Sequence, residues 1–72
     1  MTKGEERLVF FQYDKLSSFY NSLFLTIIKA DKENLAKLKL GFPEEVQAYE
    51  NYTTIPNYWD NLKKEFEGRF LW

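Results

Sequence analysis

The stretch Asp14-Lys-Leu-Ser-Ser-Phe-Tyr-Asn-Ser-Leu-Phe-Leu-Thr-Ile-Ile-Lys-Ala30 decides the fold of this chain. Leu16, Phe19, Tyr20, Leu23, Phe24, Ile27 and Ile28 recur in steps of three and four, which places them on one face of an α-helix. Asp14 offers a side-chain oxygen to the first free amides, so the spacing predicts a helix over 14–30. The apolar stripe covers about half of a helical wheel, wider than a two-helix seam needs. Two or three other helices are therefore expected to cover it. Ser18, Ser22, Leu25 and Lys29 fall on the far side, leaving Leu25 as an isolated exposed apolar residue.

Toward the C-terminus, three shorter helices are predicted. Asp31 can cap a helix over 31–40, with Leu35, Leu38 and Phe42 inward and Glu33 spaced to pair with Lys37. Gly41 is expected to end it in the left-handed conformation. Pro43-Glu44-Glu45 suits the start of a helix over 43–53, because proline is pre-set for the first position and acids match the positive end of the dipole. Val46 and Tyr49 share one side of that helix, and Ala48 and Tyr52 lie nearly opposite. Thr53-Thr54-Ile55-Pro56 interrupts the pattern. Asn57 then opens a helix over 57–68, with Trp59, Leu62 and Phe66 along its stripe and Gly68 at its end.

Toward the N-terminus the reading divides. Residues 8–13, Leu-Val-Phe-Phe-Gln-Tyr, are rich in β-formers, and Arg69-Phe-Leu-Trp72 could pair with them as an antiparallel strand. The alternative extends the first helix backward through Leu8 and Phe11. The first reading is preferred, with residues 1–13 as an extended or irregular arm. In either case the Val9-Phe10-Phe11 run must be covered to avoid cross-β association. The expected fold is all-α: one domain, 1–72, a compact bundle of three to four short helices with that arm packed against it.

Composition narrows the function. The 72 residues contain neither histidine nor cysteine, yet aromatic residues make up 19%. Without imidazole or thiol, most catalytic nucleophiles, bases and soft metal ligands are missing. Ser17, Ser18 and Ser22 have no activating base. Glu44, Glu45 and Glu50 read as dipole partners more readily than as an acid/base pair. Asp31-Lys-Glu33-Asn34 lacks the glycine and glutamate that a calcium loop requires. No enzyme activity, cofactor, metal site or small-molecule substrate is expected. The formal net charge of −1 provides no global field toward nucleic acid or anionic lipid.

Lys29, Lys32, Lys37 and Lys39 provide local basicity, and Lys32, Lys37 and Lys39 are the residues that could serve nucleic-acid binding. The adjoining helix, where a recognition helix would lie, carries three glutamates and no cation, so that alternative is disfavoured. No membrane role is expected, since serines interrupt the longest apolar stretch. Met1-Thr-Lys-Gly-Glu-Glu6 lacks the order of a secretory leader, and the absence of cysteine suits a reducing compartment, so a cytoplasmic location is expected. Asn51-Tyr52-Thr53 matches a glycosylation acceptor only formally.

The remaining feature is the aromatic surplus. Phe19, Phe24 and Trp59 are expected in the core. Tyr52, Tyr58, Phe70 and Trp72, with Leu25 as an outlier, are the expected binding surface, because tyrosine and tryptophan dominate interface hot spots. The chain therefore reads as a non-catalytic interaction module whose partner is another protein or a second copy of itself. Adaptors, regulators and inhibitors of larger machines, including those carried by phages and mobile elements, are often of this kind.

Overall fold

The computed structural model describes residues 1–69. Five helices follow in order: α1 Lys3–Gln12, α2 Ser18–Lys29, α3 Lys32–Gly41, α4 Pro43–Thr54 and α5 Tyr58–Arg69. The bundle thus has one more helix than the three to four expected, and the described residues contain no strand.

The additional helix is α1, and it corrects the reading of residues 1–13 as an arm. Thr2 and Glu5 form a reciprocal capping box: the Glu5 amide donates to Thr2 Oγ1 at 3.0 Å, and the Thr2 amide donates to Glu5 Oε1 at 2.8 Å. The β-forming run is turned to helical use by what each ring meets. Phe10 lies edge-on to Phe66 of α5 at 5.3 Å, and Phe11 stacks on Phe24 of α2 at the same spacing. Tertiary packing of this kind overrides the weak strand preference. Whether the end of the chain pairs with this segment concerns residues 70–72, which lie outside the described residues.

Asp14 ends α1 instead of starting α2. It adopts a left-handed φ of 57°, its amide donates to the Phe11 carbonyl, and the Lys15 amide donates to the Phe10 carbonyl. This is the two-bond helix stop in which asparagine or aspartate can replace glycine. α2 begins four residues later than predicted, with Ser17 at its N-cap.

The other boundaries follow the sequence more closely. Asp31 caps α3 through the Asn34 amide at 2.8 Å. Gly41 is not left-handed: it is the last residue of α3, and Phe42 ends α3 and starts α4 without a loop. Gly68 lies within α5 and does not end it.

α1 and α4 form the centre, and α2, α3 and α5 pack around them. Leu8, Val9, Leu23, Phe24, Ile27, Val46, Ala48, Leu62 and Phe66 are the buried apolar core. The wide stripe of α2 is covered only along its middle. Phe19 and Ile28, at its two edges, are 59% and 48% exposed, so the expectation that Phe19 is core is overturned. Its ring instead rests beside Tyr20 and Phe42. Trp59 is half-buried and packs against the core from outside.

α1 and α4 approach unusually closely. A Cβ added to Gly4 would lie 2.6 Å from the Glu45 amide nitrogen and closer still to the Glu44 carbonyl. Only glycine leaves room for the α4 backbone there. One turn further along, Arg7 reaches across to the buried Glu45 carboxylate, and its guanidinium lies 4.1 Å from the Tyr20 ring centre. The hydrogen bond to Glu45 holds the Arg7 guanidinium above its ordinary pKa. Burying Glu45 without this partner would carry a large desolvation cost.

Candidate functional site

The turn from α4 to α5 is built by local rules. Ile55, which precedes Pro56, is extended at φ −99° and ψ 118°, as a pre-proline residue prefers. Asn57 is left-handed at φ 62°, a conformation asparagine tolerates better than most residues. Together they fold α5 back against the end of α4. The Tyr52 ring then meets the Trp59 ring at 6.1 Å in a T-shaped arrangement, and Tyr13 meets Trp59 from the other side at 6.2 Å. Tyr52 is 38% exposed and Ile55 48%. The result is an aromatic corner that runs from the packed Tyr13 and Trp59 to the open Tyr52 and Ile55.

Tyr58 is directed elsewhere. Its hydroxyl donates to Glu5 Oε2 at 2.5 Å, tying the start of α5 to the start of α1. Burial, then the hydrogen bond to Glu5, pushes the Tyr58 phenol pKa up. Burial alone would raise the Glu5 carboxyl, but the hydrogen bonds from Tyr58 and Thr2 outweigh it and hold Glu5 below the usual carboxylate range. The pair borders an open cleft of about 350 Å³ floored by Pro43 and Ala48. Polar groups in the cleft already satisfy one another: Gln47 Nε2 donates to Asn51 Oδ1 at 2.9 Å. Glu5 and Tyr58 therefore act first as a latch between helices.

Of the five residues expected to bind a partner, the structure brings Tyr52 to the corner and leaves it open. Tyr58 is half-buried and engaged with Glu5. Leu25 is 44% exposed on the outer face of α2. Phe70 and Trp72 lie outside the described residues. Trp59 and Ile55 were missed as site residues. Their signal was the break at Ile55-Pro56-Asn57, short enough to keep the end of α4 and the start of α5 near each other.

Several charged side chains pair with one another. Lys37 makes an exposed pair with Glu33 at 3.7 Å, and Lys39 pairs more closely with Glu50 at 2.8 Å. Glu45 is held by Arg7. Among the described residues no cluster of three or more carboxylates is placed to hold a metal ion, and no helix is long and apolar enough to cross a membrane. Comparison with known families, curated proteins and solved structures finds no match to this chain.

Proposed function

We propose that this chain is a small, non-catalytic protein-binding module, an adaptor, regulator or inhibitor working in the cytoplasm. It docks on another protein through the corner of Tyr52, Ile55 and Trp59. The observation that supports this reading is the T-shaped Tyr52–Trp59 pair with one ring open to solvent beside an exposed isoleucine. A ring already held by a neighbour loses little freedom when a partner covers it, and such rings are the commonest hot spots. Leu25, Phe70 and Trp72 remain candidates for the periphery of the same function.

Tyr52→Ala tests the proposal. The variant should keep its helicity and melt within a few degrees of the parent, while capture of a partner from host extract falls at least tenfold. A loss of several degrees with undiminished capture would make Tyr52 a structural residue and remove the corner from the proposal. Sedimentation of the parent and the variant decides whether the partner is a second copy.

A further inference from the structure

α2 and α3 follow one another through Ala30 and Asp31 yet scarcely touch, because α2 rests chiefly on α1 and α3 on α4. A wedge of about 340 Å³ is left between them, lined by Thr26, Lys29, Ala30, Asn34, Lys37 and Leu38. Ala30 and Leu38, both half-buried, supply apolar surface. Lys29 on α2 and Lys37 on α3 stand exposed on opposite walls. α2 carries no acidic residue. The nearby acids offer little competition. The Asp31 carboxylate is committed to the Asn34 amide, and the Lys37–Glu33 pair is exposed on both sides, a weak type of contact that a partner's carboxylate can replace.

From this charge arrangement we infer that the wedge binds an acidic peptide segment of a partner protein. One aliphatic side chain sits on Ala30 and Leu38, and flanking carboxylates meet Lys29 and Lys37. The volume is at the small end for a ligand site, enough for one or two side chains and too small for a helix. Two cations flanking an apolar floor do not make a phosphate track, which gains from many cations in a row. This site is separate from the aromatic corner and does not depend on it.

Fluorescence anisotropy with the full chain and a labelled peptide of repeating Glu-Glu-Leu-Leu tests the inference. The peptide should bind saturably, and more weakly as salt rises. Lys29→Glu with Lys37→Glu should weaken binding about tenfold, with melting lowered only by the small effects of an exposed like-charge pair with Glu33 and an acid at the end of α2. Lys29→Arg with Lys37→Arg should retain binding, and Tyr52→Ala should not affect it. If charge reversal perturbs the fold, Lys29→Gln with Lys37→Gln should still give a clear weakening. Three results would overturn the inference: no saturable binding at about 1 mM peptide, affinity unchanged by the lysine substitutions, or oligothymidine or phosphatidylserine vesicles binding more tightly than the peptide.

Discussion

α4 meets its two principal neighbours, α1 and α3, in opposite ways. Against α1 the backbones approach so closely that glycine is required at position 4, and a half-buried ion pair, Arg7 with the buried Glu45, closes the seam. Against α3 the contact is made by half-buried side chains and a partly exposed pair, Lys39 with Glu50, and Gly41 at the junction faces open space. Position in the fold, and not residue type, decides what each glycine and each ion pair contributes. The α1 side holds the bundle together, while the α3 side leaves more of its charged and junction residues exposed.

The strongest way to break this contrast is Gly4→Ala. The new methyl group meets the α4 backbone, which cannot rotate away as a side chain can, so the two helices must separate. The cost is placed at about 3 kcal/mol, the upper end of the range for overpacking. Domains of this size seldom hold more than about 3–5 kcal/mol in total. Melts followed by far-UV circular dichroism should show the transition lowered by roughly 12–24 °C, and a melting temperature within a few degrees of the parent would refute the close seam.

The ion pair across the same seam should respond unequally to its two truncations. Arg7→Ala leaves the Glu45 carboxylate buried and alone, at about 2 kcal/mol, below the cost of breaking a fully buried pair because Arg7 is partly solvated. Glu45→Ala leaves Arg7 free to reach water and to keep its place over Tyr20, at about 1 kcal/mol. Urea melts of the two variants give the comparison directly. Equal losses would mean that burial of Glu45 is not the controlling factor.

The legibility of the chain follows the same division. α3, α4 and most of α5 were readable because their caps, proline and apolar steps are local signals. α1 was misread because Gly4, its deepest contact with α4, has no side chain to mark an inward face. Its β-forming run then dominated, although Thr2-Lys-Gly-Glu5 already spelled a capping box. The half-circle stripe of α2 was taken as fully covered, whereas its neighbours reach only the middle and leave Phe19 and Ile28 outside. At the corner, Tyr52 could be singled out as a surface tyrosine. The packing of Trp59 against it depends on how α5 turns back, a long-range outcome that spacing alone does not encode.

The latch between Tyr58 and Glu5 fastens α5 to the α1 side, and pH sharpens the reading of it. Replacing Tyr58 with Phe should cost about 1 kcal/mol near neutrality, the scale of a hydrogen bond to a charged acceptor that is partly solvated. Glu5 has a depressed folded pKa, so its contribution is present above the ordinary carboxylate value of 4.5 and is lost as pH falls through the folded value. Tyr58 has a raised folded pKa, so its contribution is present below the ordinary phenol value of 10.0 and is lost as pH rises through the folded value. The stability gap between parent and Tyr58→Phe should therefore be widest between these limits and narrow on both sides. A gap that stays constant into the acid range would separate Glu5 from Tyr58.

The smallest effect has the opposite sign. Gly41 lies at the end of α3 in an ordinary helical conformation, and a Cβ there would meet nothing within 4 Å. Gly41→Ala adds helix propensity and restricts the unfolded chain without a clash, so stability should rise by about 0.5–1 kcal/mol. For a domain this small, that is roughly 3–6 °C in melting temperature. The same chemical change, glycine to alanine, is thus expected to weaken the protein severely at position 4 and strengthen it at position 41. If Gly41→Ala instead lowers the melting temperature, the α3–α4 junction must use the flexibility of glycine in a way its open surroundings do not suggest, and the contrast between the two sides of α4 would be lost.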